Sequence, residues 1–281
     1  MIFLAIPPSF HMEQFLFRTL SASHKIGTNK NDPYEVHCHS FFELYYFLTG
    51  HVSYMVEGVT YELAPHTLLL MAPTVLHGIR LLARGPYERY VIQFAGEGLP
   101  AAYRDFLLQP FWYRENGGQV VYTPVCETPL VPYFDSLIAC AGLSPEEQET
   151  ESSIVLPDLL LQVRRLYRAR GIRPTPALPK AVSDALSFIN RHLADPFALP
   201  DVASACFVSE HQLGKRFREV MGEPVMQYVS RKRVITAQQY IRSGTPAQEA
   251  ARLCGFRDYS VFFRTYKKFL GHPPVQDQRL G

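Results

Sequence analysis

The chain has 281 residues, which is enough for two domains with separate hydrophobic cores. Its formal charge of +2 conceals an asymmetry, because residues 1–173 carry a net −4 and residues 174–281 a net +6. Five scattered cysteines without a CxxC pair argue against a disulfide scaffold, and no apolar run approaches the ~20 residues of a membrane span. We therefore expect a cytoplasmic protein whose C-terminal part meets a polyanion.

Residues 15–125 contain short runs of Tyr, Phe, Val and Leu, separated by Gly, Pro, Asn and Asp. Examples are FELYYFLTG, HVSYMVEG and ERYVIQFAG. Such runs predict many short β-strands, and their number favours a sandwich or a barrel over a parallel α/β sheet. The first ten residues lack a basic start and are interrupted by Pro7 and Pro8, so they do not predict a signal peptide.

A group of histidines lies inside this β-rich region. His37, His39 and Glu43 have the same parity, so on one strand their side chains would share a face. The segment PHTLLLMAPTVLH could bring His77 to the same place from a neighbouring strand. Tyr45 also has this parity and could add an aromatic wall, although ordinary core packing explains it equally simply.

Three interpretations of this group remain open. Imidazole and carboxylate groups suit zinc, iron, manganese or nickel, which makes His37, His39, Glu43 and His77 candidate ligands of a divalent metal. The same four residues, with Tyr45, could instead line a pocket that hydrogen-bonds a polar small molecule. They could also be satisfied polar residues without any ligand.

The pattern becomes helical between residues 129 and 170. Ser144 and Pro145, followed by two glutamates, predict an N-cap, a first-turn proline and an acidic first turn. An apolar stripe follows at helical spacing, formed by Leu156, Leu159, Leu160, Val163 and Leu166. The stripe could pack on the β-rich region or form a dimer seam. Pro157 predicts a kink within this helix.

The segment GIRPTPALPK, residues 171–180, contains three prolines and predicts an extended linker. The chain therefore divides into a β-rich domain at residues 1–128, a helical segment at 129–170, this linker, and a helical domain at 181–281. The last domain carries the positive charge.

The stretch from Pro246 to Pro274 predicts a short helix, a turn at Gly255 and a second helix. This second helix has one apolar face and one basic face, as in a helix-turn-helix motif. A similar segment lies 49 residues upstream, where FREVMGEP aligns with YKKFLGHP. Ser209 suits the N-cap of the upstream second helix. An internal repeat is stronger evidence than one isolated motif.

A longer helix, from Val225 to about Arg242, is predicted between the two motifs. About 18 residues at 1.5 Å each give a rod of roughly 27 Å. Such a rod could place the two second helices about one DNA turn, ~34 Å, apart in successive major grooves.

This arrangement resembles the AraC/XylS family of bacterial transcription regulators from Ala181 to Val275. The motifs that carry the resemblance are the paired helix-turn-helices, the helix YVSRKRVITAQQYIRSG, Gly255-Phe256 and the final YKKFLGHPP. The HxHxxxE spacing resembles the cupin barrel, a familiar companion of that domain. Phe207 and Gly214 depart from the family, which usually has glycine at the first position and often a base-reading side chain at the second. Thr67 replaces a glycine of the second cupin motif.

The resemblance implies an α+β protein of two domains. The N-terminal one would be a cupin-like β-barrel with a helical hairpin, and the C-terminal one an all-α domain with two helix-turn-helix motifs. Carried over by position, the candidate base-contacting residues are His211, Lys215, Tyr259, Ser260 and Arg264. The candidate phosphate-contacting residues are Ser209, Arg231, Arg257, Lys267 and Lys268. For each, a solvated surface role is the alternative. Because Gly214 has no side chain, more of the specificity is expected from the second helix.

The implied function is sequence-specific binding of double-stranded DNA by a transcriptional regulator, controlled by a small-molecule effector in the barrel. A homodimer is expected, with RNA polymerase as a further partner if the protein activates transcription, and no enzymatic activity. One alternative is a metal-dependent cupin enzyme fused to a DNA-binding domain. Another is an architectural DNA-binding protein without an effector.

Overall fold

The computed structural model describes residues 11–17, 20–27, 37–83, 85–112, 120–125, 129–170, 178–242 and 244–278. Contacts divide the chain into two compact units. The first comprises Met1–His37, Phe41–Val56 and Thr60–Thr175, and the second comprises Cys38–Ser40, Glu57–Val59 and Pro176–Gly281. Residues 171–177 of the predicted linker lie outside the described residues. Among the residues described, no helix is both long enough and apolar enough to cross a membrane.

The first unit is rich in β-structure, as predicted. Its strands are β1 (His11–Phe17), β2 (Leu20–Gly27), β3 (Phe42–Thr49), β4 (Val52–Val56), β5 (Val59–Glu62), β6 (Thr67–Met71), β7 (His77–Leu81), β8 (Tyr87–Phe94) and β9 (Val121–Tyr122). They form a six-stranded sheet of order β1-β2-β8-β3-β6-β9 and a three-stranded sheet of order β5-β4-β7. In the described part of the chain these are two separate sheets, so the predicted closed barrel is not observed.

Strand β3 lies at the centre of the first unit and is buried on both faces. On one face, the ring of Tyr46 stacks on Phe134 with ring centroids 5.7 Å apart. On the other face, Tyr45 meets Tyr54 of β4 at 4.8 Å, so the two sheets face each other here. Alternation along the strand therefore directs Glu43 and Tyr45 into the space between the sheets.

The described part of the first unit also contains the α-helices α1 (Arg104–Leu108), α2 (Val131–Ala139) and α3 (Pro145–Arg170). The predicted N-cap of α3 is confirmed, because the Ser144 hydroxyl and the Glu147 carboxylate form a reciprocal capping pair. The helix continues through Pro157. Its predicted apolar stripe is buried in the core of the unit. A dimer seam along that stripe is therefore wrong, since the same side chains are already covered.

The second unit is helical. Its helices are α4 (Lys180–Arg191), α5 (Leu199–Ala205), α6 (Glu210–Met221), α7 (Val225–Arg242), α8 (Ala247–Leu253), α9 (Tyr259–Leu270) and α10 (Pro274–Gln278). Helices α5 and α6 form the first predicted helix-turn-helix pair, and α8 and α9 form the second. Helix α7 has the bounds that the sequence predicted for the connecting helix.

The turns of both helix-turn-helix pairs begin with the same hydrogen-bond pattern. After α5, Val208 N–H donates to the Ala203 carbonyl at 3.2 Å and Phe207 N–H donates to that of Ser204 at 3.1 Å. This is a Schellman motif, whose pivotal residue adopts a left-handed conformation that favours glycine. Gly255 fills that position after α8 with φ +78°, and Phe207 fills it after α5 with φ +56°.

Phe207→Gly is expected to raise the free energy of unfolding of the second unit by about 0.5–1 kcal/mol. A left-handed conformation costs a residue with a Cβ about 1–2 kcal/mol, while glycine loses about 0.5–1 kcal/mol more entropy on folding. Burial does not offset the strain, because Phe207 is 92% exposed. Urea unfolding followed by far-UV circular dichroism measures the change. The control is Phe207→Ala, which keeps the strain and should show no gain; equal stability of the two variants would contradict this account.

A buried carboxylate ties the short C-terminal helix α10 to the rest of the second unit. Asp277 is 1% exposed and accepts hydrogen bonds from Tyr266 (2.6 Å), Arg242 (2.8 Å) and Gln238 (3.1 Å). The His272 ring nitrogen Nδ1 lies 3.6 Å from the same carboxylate. Burial by itself would raise the pKa of Asp277, but these hydrogen bonds and the Arg242 charge hold it below its ordinary value.

Candidate effector pocket and nucleic-acid interface

A buried carboxylate lies between the two sheets of the first unit. Glu43 is 3% exposed and accepts hydrogen bonds from the Gln93 amide at 2.7 Å and the Tyr54 hydroxyl at 3.4 Å. The His77 nitrogen Nε2 lies 3.7 Å from the same carboxylate. Burial first, and then the charge of Glu43, raise the pKa of Tyr54 well above its ordinary value. Tyr54 therefore keeps its proton and can donate.

An aromatic and cationic group continues this interior face. The hydroxyls of Tyr45 and Tyr87 are hydrogen-bonded to each other. The guanidinium of Arg89, a residue only 6% exposed, lies 4.6 Å from the Tyr87 ring centroid and 5.9 Å from that of Tyr45. The predicted pocket residue Tyr45 thus belongs to a buried polar group, although its surroundings are packed like a core.

The interior residues Tyr54, Tyr87, Arg89 and Gln93 were not predicted from the sequence. Pairing of β3 with β8 explains the position of two of them, since Glu43 lies opposite Gln93 and Phe47 opposite Arg89. Parity along YERYVIQF could have identified a common face. It could not identify β8 as the partner of β3, because the paired residues Glu43 and Gln93 are 50 positions apart in the sequence and no local signal connects them.

The predicted histidines do come together. His37 and His77 form a two-bond antiparallel bridge, with N···O distances of 2.8 and 2.9 Å, and their ring centroids are 4.6 Å apart. Each of His37, His39 and His77 offers one nitrogen within 4.8 Å of the others. Glu43 is not part of this set of three.

The three imidazoles fit a divalent metal in donor chemistry. The His77 nitrogen Nδ1 lies 2.9 Å from the Val75 carbonyl oxygen, which suits an Nδ1–H donor, so Nε2 would be the ligating nitrogen of this ring. Metal-binding histidines are commonly oriented by a carbonyl in this way. His37, His39 and His77 would be the ligands, and metal binding stays a prediction.

The two candidate recognition helices, α6 and α9, begin and end in the same register. The Ser209 hydroxyl accepts the Gln212 N–H at 3.2 Å, and the Asp258 carboxylate accepts the Val261 N–H at 2.8 Å. The helices end at glycines in the left-handed conformation, Gly222 and Gly271, so both pairs of caps are 49 residues apart. The predicted repeat and the predicted N-cap Ser209 are confirmed.

Each recognition helix buries one face and exposes the other. The buried pairs are Leu213 and Phe217 in α6, and Phe262 and Tyr266 in α9. All five predicted base-contacting residues are exposed: His211, Lys215, Tyr259, Ser260 and Arg264. The structure places these side chains where a partner molecule can reach them, and their contacts with bases stay predictions.

The common register pairs residues of α6 with residues of α9. His211 corresponds to Ser260, Lys215 to Arg264, Arg218 to Lys267 and Gly214 to Phe263. Arg218 and Phe263 are both exposed and were not predicted as functional residues. The 49-residue offset in the sequence was the signal that could have identified both.

The predicted phosphate-contacting residues differ in their availability. Arg257 and Lys267 are exposed. Arg231 forms an ion pair with Glu223 at 3.0 Å, and the Ser209 hydroxyl caps α6. The Lys268 ammonium lies 5.7 Å from the Phe269 ring centroid. Arg231 and Ser209 therefore have structural roles within the unit, whatever further contacts they make.

Two family models match the chain in succession. A model described as an AraC-like ligand binding domain matches residues 25–163, and one described as a helix-turn-helix domain matches residues 202–279. The chain belongs to the AraC family. Membership confirms the sequence-based resemblance and the two-domain α+β fold class. The ligand-binding match of this AraC-family protein includes the three histidines, and the helix-turn-helix match includes both recognition helices.

Curated relatives are themselves named as regulators. The probable transcriptional regulator LumQ of Photobacterium leiognathi is 31% identical over 93 residues, which are 33% of this chain and 38% of LumQ. A probable thc operon regulatory protein of Rhodococcus erythropolis is 28% identical over 142 residues, 49% of this chain and 43% of that protein. The AraC-family chain thus spans less than half the length of these two relatives.

Solved structures with similarity to the chain include ToxT of Vibrio cholerae. It is 14% identical, with a TM-score of 0.43, over 97% of this chain and 98% of ToxT. The DNA-binding domain of AdpA, solved in complex with a target DNA, is 22% identical with a TM-score of 0.35. That similarity covers 36% of this chain and 92% of the AdpA domain.

Proposed function

We propose that this AraC-family protein is a sequence-specific, DNA-binding transcriptional regulator whose affinity for DNA depends on a small molecule bound in the first unit. The observation that carries the proposal is the matched pair of recognition helices. Lys215 and Arg264 occupy equivalent exposed positions on α6 and α9, and both can donate to guanine O6 and N7. Family membership supports DNA as the polyanion that the positive charge of residues 174–281 predicted.

The effector would bind among the buried polar groups of the first unit. Glu43, Gln93 and Tyr54 form one hydrogen-bonded group there, and Arg89 with Tyr87 forms another. A regulator requires the effector to bind one state more tightly than the other, and a tenfold difference in affinity corresponds to about 1.4 kcal/mol of coupling. The same proposal includes the domain limits at residues 128, 170 and 180. It also includes a cytoplasmic location, a homodimer and contact with RNA polymerase.

We propose no enzymatic activity. Curated relatives are named as regulators. Burial raises the pKa of the Cys38 thiol to about 12, so a Cys–His nucleophile next to His37 or His39 would be almost fully protonated near neutral pH. Cys38 is therefore not a candidate nucleophile.

Selection of double-stranded DNA from a random pool by the full chain, followed by anisotropy titration, tests DNA recognition. We expect an enriched sequence bound at least 10³-fold more tightly than random duplex at the same salt concentration. Enrichment of no sequence would contradict a sequence-specific regulator and favour an architectural DNA-binding protein.

A thermal-shift screen of sugars, organic acids, aromatic compounds and divalent metals then tests effector control. An effector should raise the melting temperature and change the affinity for the selected DNA by about tenfold. Metal bound in stoichiometric amount and lost in the His37→Ala/His39→Ala variant, without an effect on DNA affinity, would favour the metal-dependent alternative.

A further inference from the structure

An exposed aromatic ring lies on the outward face of the second recognition helix. Phe263 is 38% exposed. Its helical neighbours on that face are Ser260 at i−3 and Lys267 at i+4. Arg264 follows it directly in the sequence, and all three residues are exposed. The Tyr259 ring, with its centroid 6.5 Å away, extends the apolar surface toward the N-terminus of α9. The side chains next to Phe263 are therefore those expected to contact DNA.

Phe263 lies outside the buried core of the second unit. The core around α9 is built from Phe262 and Tyr266, which are fully buried, with Phe256 and Phe269 packed against them. Phe263 is not among the residues of that core. The equivalent residue of the first recognition helix is Gly214, since the caps of α6 and α9 are in register. The ring thus distinguishes two helices that otherwise share a cation at Lys215 and Arg264.

The chemistry of the major groove specifies what such a ring can recognise. Base edges there offer hydrogen-bond donors and acceptors, which suit Arg264 and Ser260. The apolar group that they offer is the C5-methyl of thymine, and phenylalanine is among the side chains that contact it. We propose that Phe263 is a specificity-determining residue that recognises a thymine methyl next to the base contacted by Arg264. This proposal rests on the proposed DNA-binding function.

Replacement of thymine by deoxyuridine tests the proposal, because it removes the methyl and leaves the hydrogen-bonding edge unchanged. In the selected duplex, each thymine is replaced in turn and the affinity of the full chain is measured. At one position we expect the affinity of the wild type to fall about fourfold, which is the contribution of one buried methyl group. Phe263→Ala should bind the thymine and deoxyuridine duplexes equally. Phe263→Leu, which keeps an apolar contact, should restore part of the dependence on the methyl.

The outcomes separate this proposal from the function on which it rests. If the selection enriches no DNA sequence, both sequence-specific DNA binding and the thymine contact are contradicted. A wild-type protein that binds the selected site but tolerates every deoxyuridine overturns the thymine contact alone. The contact is likewise overturned if Phe263→Ala retains the wild-type dependence on the methyl, or if it weakens both duplexes equally, as a deoxyribose contact would. Because Phe263 is exposed, Phe263→Ala should keep the wild-type melting temperature, which serves as the folding control.

Gly214 provides a matched gain-of-function test. A Cβ added at Gly214 would meet no heavy atom within 4 Å, so a larger side chain fits there without displacing a neighbour. In Gly214→Phe we expect selection to enrich one additional thymine, displaced by about one DNA turn from the first, with a methyl dependence of about fourfold. Gly214→Ala is the control and should show no such dependence. A Gly214→Phe protein that folds, binds and gains no thymine preference would contradict the proposal.

Discussion

Asp277→Asn is expected to lower the free energy of unfolding of the second unit by about 3 kcal/mol. The carboxylate is buried and accepts hydrogen bonds from Tyr266, Gln238 and Arg242. An asparagine keeps the shape but presents an amide N–H₂ to one of these donors, and it removes the negative charge that faces Arg242. Removal of one member of a buried pair typically costs 3–5 kcal/mol, and the partial exposure of Arg242 places the estimate at the lower end.

Hydrogen exchange of α7, α9 and α10 in the full chain measures this loss directly. Tryptophan fluorescence is unsuitable, because the chain's single tryptophan, Trp112, belongs to the first unit. The matched control is Asp184→Asn in α4, whose ion pair with Lys180 is at the surface and should leave exchange unchanged. Equal protection in both variants would show that the Asp277 group is not a source of stability.

The same residue predicts a pH dependence. The native pKa of Asp277 is lowered, so its contribution is fully present above the unfolded value of about 3.9 and is lost as the pH falls through the native pKa. The difference in stability between wild type and Asp277→Asn should therefore shrink as the pH falls below about pH 4. A difference that persists unchanged at pH 3 would mean that the charge of Asp277 is not its source.

The helices of the second unit could be predicted from sequence, whereas the Asp277 group could not. Apolar spacing, N-caps such as Ser209 and the glycines that end α6 and α9 are local signals, and the structure follows them. Asp277 lies in HPPVQDQ, which has no helical period. Its partners Gln238 and Arg242 are 39 and 35 residues away, and nothing in the sequence marks them as partners.

The first unit shows the same limit more strongly. Parity along one strand correctly placed Glu43 and Tyr45 on one interior face. The predicted strand face shared by His37, His39 and Glu43 is wrong, because both histidines precede β3, which begins at Phe42; His37 lies near His77 through an isolated bridge. Which strand lies beside β3 is a property of the long-range register, so Arg89 could not be assigned to that face. The residue pattern favoured a sandwich or a barrel, and the family resemblance decided for the barrel; a closed barrel is the part of the prediction that the described strands do not show.

Arg264→Ala is expected to raise the dissociation constant for the selected site about 5- to 150-fold, which corresponds to 1–3 kcal/mol. Affinity for random duplex should change little. Arg264 is exposed on α9, and a guanidinium can donate two parallel hydrogen bonds to guanine O6 and N7. Loss of those bonds removes a preference for one base. Sequences selected with the variant should therefore vary at the base pair that Arg264 contacts in the wild type. Competition titrations of specific against random duplex at fixed salt measure both effects.

Two matched variants separate base recognition from phosphate attraction. Lys267→Ala, on the same exposed face, should weaken specific and random DNA alike and reduce the salt dependence by about one ion. Lys215→Ala removes the equivalent cation of α6 and should relax specificity less than Arg264→Ala, because its neighbour Gly214 offers no side chain while Arg264 has Phe263 beside it. If Arg264→Ala instead weakens both kinds of DNA equally, Arg264 contacts phosphate. The unequal recognition inferred for the two helices would then depend on Phe263 alone.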